Sequence, residues 1–193
     1  QPIQTSPNLP IQTPNIEQQP HPNININIST SQNIVPIVYC MMGENRLHEI
    51  KAENYISSIL PWIDKFIFVD GGSEDGTVEY LKSLGDKVEV YVHPWQDRFS
   101  EQRNHYLEKL RERNYDGWVI TSDTDEHYPI ESLKYIKSII PEIEVKGYNG
   151  IKVQVVDITV DDNDFSKEIS RNINQYWKPL IFKFHQNIRY EGE

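Results

Sequence analysis

The chain predicts an α/β fold: a mostly parallel sheet with helices on both faces and a mixed edge at its end. Two observations carry this. From residue 34 to residue 140, short β-rich runs alternate with helical stretches, which implies right-handed crossovers and parallel pairing. The last two β-rich stretches, 149–160 and 179–184, have no helix between them, so the sheet ends mixed or antiparallel.

Each element has its own signature. Residues 34–42 are apolar and uncharged, as a strand buried on both faces is, and Gly43 ends them. Residues 44–60 read as one helix with Leu47, Ile50, Ala52, Tyr55, Ile56 and Ile59 on its apolar stripe, closed by Pro61. A second strand, 65–69, runs into Asp70-Gly71-Gly72-Ser73-Glu74-Asp75-Gly76-Thr77, a loop dense in turn residues. A short helix, 77–84, is stopped by Gly85, and 88–92 is the third strand. Residues 99–113 form an amphipathic helix with Phe99, Arg103, Tyr106, Leu107 and Leu110 at helical spacing. The fourth strand, 117–122, precedes a helix over 129–140 with Pro129 in its first turn. Residues 161–175 are polar and read as a loop; the run Asp161-Asp162-Asn163-Asp164 within it has the wrong spacing for a calcium loop.

Composition divides the chain in two. Residues 1–32 are rich in Gln, Pro, Asn, Thr and Ser and hold half of the prolines; they read as a disordered or extended low-complexity arm. The alternation Asn23 to Ile28 and the sequon at Asn27 are given no role. Residues 33–193 are the domain, and the start at Gln1 suggests a piece of a longer protein. The net charge of −10 argues against nucleic acid as a partner. The single cysteine, Cys40, excludes an internal disulfide and a cysteine zinc site, and reads as a core residue. No apolar run is long enough to span a bilayer. The compartment is not fixed; the cytoplasm or the cytoplasmic face of a membrane is the expectation.

The chemistry gathers at strand ends. The fourth strand runs straight into Asp123-Thr124-Asp125-Glu126, and three carboxylates crowded there repel one another unless a cation joins them. A hard divalent ion that also bridges phosphate fits such a place. In a parallel sheet, ligands bind beyond the carboxyl ends of the strands. The turn at Gly43-Glu44-Asn45, the loop from Asp70 to Thr77 and the acidic cluster should therefore converge. Asp70 is read as a ligand contact, Asp75 as a helix cap and Ser73 as a turn residue. Arg103 is placed to neutralise a diphosphate or to hold an acid of the site by a two-pronged pair. His127 and His185 are candidate metal ligands, with a structural role the plainer reading.

Together these pieces resemble family 2 glycosyltransferases of the Rossmann-like GT-A fold. The matching residues are the first strand with Gly43-Glu44-Asn45, Val69 through Thr77, Phe99 with Gln102-Arg103-Asn104, and Trp118 through Glu126. The resemblance implies a hexosyltransferase-type enzyme, a nucleotide-diphosphosugar donor and Mn2+ or Mg2+. It also implies an inverting transfer to an acceptor hydroxyl on a carbohydrate, lipid or protein. It places Glu44, Asp70, Arg103 and Asp123 at the donor, and Asp125 with Asp123 at the metal. The base of the family usually follows the Asp-x-Asp at some distance, near a His-Glu pair that would come after Arg189-Tyr190-Glu191-Gly192. This chain stops at Glu193, so no base is assigned and Glu126 is a poor positional match for one. Two other readings stay open: a nucleotidyltransferase, which normally has a basic Gly-rich loop that Met41-Met42-Gly43-Glu44-Asn45 lacks, and a non-catalytic sugar-nucleotide or carbohydrate-binding module.

Overall fold

Seven residues without a charge, Ile37–Gly43, make strand β1 at the centre of the sheet. In the computed structural model, which describes residues 35–161 and 164–192, six strands pair in one sheet. They are β1, β2 (Lys65–Asp70), β3 (Val88–Val92), β4 (Trp118–Ser122), β5 (Gly150–Asp161) and β6 (Asp164–Lys183). Their order is β3-β2-β1-β4-β6-β5, parallel from β3 to β4 and antiparallel at β6 and β5. This is the fold class expected, including its mixed edge. The expected arm, the Asn23 to Ile28 alternation and the sequon lie outside the described residues.

β1 shows why both faces carry helices. Ile37, Tyr39 and Met41 pack on one face with Ile50, Ile56, Ile59 and Leu81, while Val38, Cys40 and Met42 pack on the other with Tyr106, Leu107 and Leu110. The period of two sends successive apolar side chains to opposite faces, so the strand has no polar side at all. Helices α1 (Leu47–Lys51), α2 (Tyr55–Ile59), α3 (Thr77–Ser83) and α5 (Ile130–Val145) serve the first face, and α4 (Phe99–Glu112) the second.

Three expectations need correction. The single helix over 44–60 is two short helices joined by a 3-10 turn, because Glu53 and Asn54 take left-handed φ values of 52° and 54°. The break lets each half bury its own apolar residues, Ile50 before it and Tyr55, Ile56 and Ile59 after it. The helix placed at 129–140 runs on to Val145, with Pro141 inside it. The polar stretch 161–175 is not a loop; β6 runs for 20 residues from Asp164 and pairs with β5 as a long hairpin, from Gly150↔Phe182 to Asp161↔Asp164.

Gly117 sets the entry of β4. A Cβ there would lie 2.5 Å from the Pro36 carbonyl oxygen and would also meet the Tyr115 ring. That ring is held in place, since its hydroxyl donates to the carbonyls of Pro36 (2.9 Å) and Trp118 (3.0 Å). Gly117→Ala should therefore push β4 away from β1 and destabilise the domain by about 3 kcal/mol, the upper end for overpacking. Thermal unfolding followed by circular dichroism should show a midpoint lower by roughly 6–12 °C; an unchanged midpoint would contradict the close approach.

Candidate active site

The loops after β1 and β2 are stitched together before either meets a ligand. Gly71 N donates to the Gly43 carbonyl (2.9 Å), Asn45 N to Ser73 Oγ (2.8 Å), and Glu74 N to Asn45 Oδ1 (2.8 Å). Asp70, 1% exposed, spends its carboxylate on its own loop: it accepts from Gly72 N and Ser73 N, both at 2.9 Å, and from Ser73 Oγ at 2.5 Å. Asp75 accepts from Thr77 N and Oγ1 and, across to α1, from Leu47 N. Burial raises the pKa of Asp75, but these hydrogen bonds outweigh it and hold the carboxyl below its ordinary 3.8. A depressed carboxyl adds stability above its unfolded pKa and loses it as pH falls through the folded value. Asp75→Asn should thus be less stable than wild type near neutrality, with the two unfolding curves converging below about pH 3.8. A constant gap across that window would argue against the ionised cap.

The acidic cluster is organised by what lies beneath it. Tyr39 OH donates to Ser122 Oγ (2.8 Å), which leaves the Tyr55 hydroxyl to donate to Tyr39 (3.0 Å) while it accepts from Tyr128 N (2.8 Å). Tyr55 is the first residue of α2, so the left-handed break before it puts this hydroxyl under the turn after β4. Above, Thr124 Oγ1 donates to Glu49, and Glu126 takes the Lys178 ammonium and the Asp123 N–H (3.2 Å). Glu126 is therefore a brace between β6 and the turn. Asp125 is exposed and accepts no hydrogen bond from another described residue.

The tripeptide Gln102-Arg103-Asn104 fastens three segments at once. Arg103 grips both oxygens of Asp123 (2.9 and 3.1 Å), with its guanidinium between the rings of Phe99 and Tyr190, at 5.6 and 5.7 Å. Asn104 pairs with the Tyr190 backbone through both ends of its amide, at 2.9 and 2.8 Å. Gln102 Nε2 donates to the His93 carbonyl at 2.6 Å. Of the two tasks open to Arg103, the structure shows it holding an acid. The sequence reading had no task for Gln102, Asn104 or Tyr190; Gln102 and Asn104 entered it only beside Arg103 in the resemblance, and Tyr190 only in the stretch before the expected base.

A cavity of about 420 Å³ opens where these parts meet, lined by Met42, Gly43, Glu44, Arg46, Glu49, Trp95, Phe99, Gln102, Asp123, Thr124 and Asp125. Two of the three converging loops line it; Asp70 and Arg103 do not, Asp70 holding Gly72 and Ser73 of its own loop and Arg103 holding Asp123. A larger cavity of about 1110 Å³ shares Asp123 and Asp125 and extends between α5, β5 and β6, past Tyr135, Ile139, Val153 and Trp177. His127 borders this second cavity with its ring stacked on Tyr55 at 4.0 Å, and burial lowers its pKa below 6.5, keeping it neutral at pH 7. His185 lies apart, in the turn after β6, where it accepts from Asn187 N.

Among the described residues, no group of three or more His, Cys, Asp or Glu side chains stands ready to hold a metal, and no helix is long and apolar enough to cross a membrane. Several solved structures are similar to this chain at low identity. S. aureus TarS 1–349 in complex with UDP-GlcNAc is 17% identical, over 67% of this chain and 36% of that one, with a TM-score of 0.47. The mannosyltransferase PcManGT from Pyrobaculum calidifontis, in complex with GDP-Man and Mn2+, is 15% identical over 70% and 38%, with a TM-score of 0.45. M. tuberculosis glucosyl-3-phosphoglycerate synthase is 23% identical over 60% and 43%, with a TM-score of 0.41. The chain thus spans well under half the length of each of these proteins. No curated protein matches it. The family model for glycosyl transferase family 2, in contrast, matches residues 52–192, from the break after α1 to the segment clamped by Asn104. This chain belongs to glycosyl transferase family 2.

Proposed function

We propose that the domain binds a nucleotide-diphosphosugar in the smaller cavity and transfers its sugar, with inversion, to an acceptor hydroxyl entering from the larger one. The observation that carries this reading is the single edge, Asp123 to Asp125, shared by both cavities. A donor on one side and an acceptor on the other would meet there. The smaller cavity falls within the roughly 300–1,000 Å³ typical of small-molecule sites.

The donor set suits a divalent ion. Mn2+ or Mg2+ is commonly held by one or two carboxylates together with the substrate's phosphates, so a three-residue protein cage is not needed. Asp125, exposed and uncommitted, and Asp123, held rigid by Arg103, would be its protein ligands. Such an ion, when bound, supplies Lewis-acid stabilisation of the departing nucleoside diphosphate. Glu44 would border the donor, and Asp70 would serve it by fixing the Gly72–Ser73 turn beside Glu44. The two fixed acids and the arginine behind them are oriented before the donor arrives, which lowers the ordering cost at the reacting centre. No residue is assigned as the base.

A donor panel with Mn2+ tests the reading. Release of nucleoside diphosphate from at least one nucleotide sugar is expected. Release of pyrophosphate from a sugar phosphate and a nucleoside triphosphate would point instead to nucleotidyl transfer. Metal-dependent binding with neither product would make this a non-catalytic sugar-nucleotide module.

A further inference from the structure

Gln102 carries an unspent acceptor. The residue is 2% exposed, and its Oε1 is the one buried side-chain polar atom among the described residues with no hydrogen-bond partner. The orientation of the amide is settled by its other end: Nε2 donates to the His93 carbonyl at 2.6 Å, and a flipped amide would press two carbonyl oxygens together. Proteins rarely leave such an atom without a purpose, since an unmet buried acceptor costs stability.

The surroundings say what would meet it. Gln102 lines the smaller cavity beside Trp95 and Phe99, whose rings lie 4.9 Å apart at 73°. The indole N–H of Trp95, a polar group that might compete, is spent on Asp97 Oδ1 at 3.0 Å. Gly71 keeps this end of the cavity tight, because a Cβ there would come within 2.9 Å of Glu44 Cβ and 3.4 Å of Trp95 Cβ. Two aromatic walls and one neutral acceptor suit a flat heterocycle with an N–H on its edge. They suit a metal or a phosphate poorly, as both are charged and neither has an apolar face. Oε1 is closed to water, so a ligand reaches it as a ring yields; Phe99, one turn earlier on α4 and 48% exposed, is free on one side to do so.

We infer that Gln102 reads the nucleobase of the bound nucleotide, its side-chain carbonyl accepting an N–H from the base edge; this rests on the sugar-nucleotide reading above. Gln102 would then be a specificity-determining residue on the Trp95–Phe99 side of the cavity.

The test is a cycle of calorimetric titrations on the full chain at saturating Mn2+. UDP, GDP, CDP and ADP are each paired with the analogue whose edge N–H groups are methylated, against wild type and Gln102→Met. Methylation should weaken binding to wild type about 10–100-fold and should cost Q102M less than about twofold. Equal costs in both proteins, no cost in wild type, or a coupling found with 2′-deoxy-UDP instead of the methylated base would overturn the inference. Gln102→Leu completes the same cycle should Q102M fail to fold. If none of the four nucleoside diphosphates binds with Mn2+, it is the sugar-nucleotide reading that falls, and the two failures are told apart.

Discussion

Asp125→Ala is expected to abolish the metal-dependent part of nucleoside diphosphate binding. Two acids of the turn are already engaged: Asp123 with Arg103, and Glu126 with Lys178 and a backbone N–H. Asp125, which borders both cavities, is the exposed one and accepts no hydrogen bond from another described residue. Removing it should reduce the gain in affinity on adding Mn2+ by more than about 100-fold, since replacing even an outer-shell partner of a metal costs 10–100-fold. The fold should not notice, because an exposed side chain without partners changes stability by only about ±0.5 kcal/mol. Titration of UDP or GDP with and without Mn2+, beside a thermal melt, reads both quantities. A gain from Mn2+ that survives the substitution would remove the metal from this turn.

Arg103→Ala should damage stability and binding together. One guanidinium nitrogen, Nη2, reaches both oxygens of Asp123, and the group lies against two rings, while both partners keep part of their surface in water, 28% and 38%. Allowing for that screening, the loss amounts to about 2 kcal/mol, lowering the melting midpoint by roughly 4–8 °C. Asp123, no longer aimed, should weaken nucleotide binding by about tenfold even where the metal ligand Asp125 is intact. Arg103→Lys separates charge from geometry. Lysine keeps the charge but not the planar group that lies against the Phe99 and Tyr190 rings, so the variant should behave more like alanine than like wild type. A lysine variant equal to wild type in both melt and titration would show that charge alone matters at this position.

Those side chains differ in how far the sequence announces them. β1, β2 and β4 stood out by the apolar runs of strands buried on both faces, the edge strand β3 by its β-rich Val88-Glu89-Val90-Tyr91-Val92, and α4 because its buried residues recur at helical spacing. Asp123 and Asp125 stood out as charges where a core strand ends. The break at Glu53–Asn54 left no such mark: neither residue is Gly or Pro, and the left-handed turn is stabilised by where Tyr55 must go, which is a tertiary demand. Pro141 signals a stop, yet α5 passes through it. β5 and the last residues of β6 were read as strands; the earlier part of β6 hid for a different reason. Ile169 and Trp177 are well exposed on it, so no buried face imposes the alternation by which strands are usually read. Gln102 and Asn104 belonged to the resemblance but had no task, because their partners are backbone groups of distant segments, His93 and Tyr190, and backbone leaves no trace in composition.

The strand order also dictates the sequence of events by which the domain assembles. β3, β2 and β1 are neighbours joined by short crossovers and can pair as they leave the ribosome. β4 must then reach back to the far side of β1, so that Tyr39 and Ser122, 83 residues apart, come into hydrogen-bonding contact. Closing a loop of that length is the slow, entropically costly step of such a topology. The two proposed metal ligands, Asp123 and Asp125, arrive with β4, after Glu44 and Asp70. The half-domain made earlier therefore has hydrophobic faces but no acidic turn, and on the proposed reading a metal-bound nucleotide would stabilise the fold only once the central pair has closed.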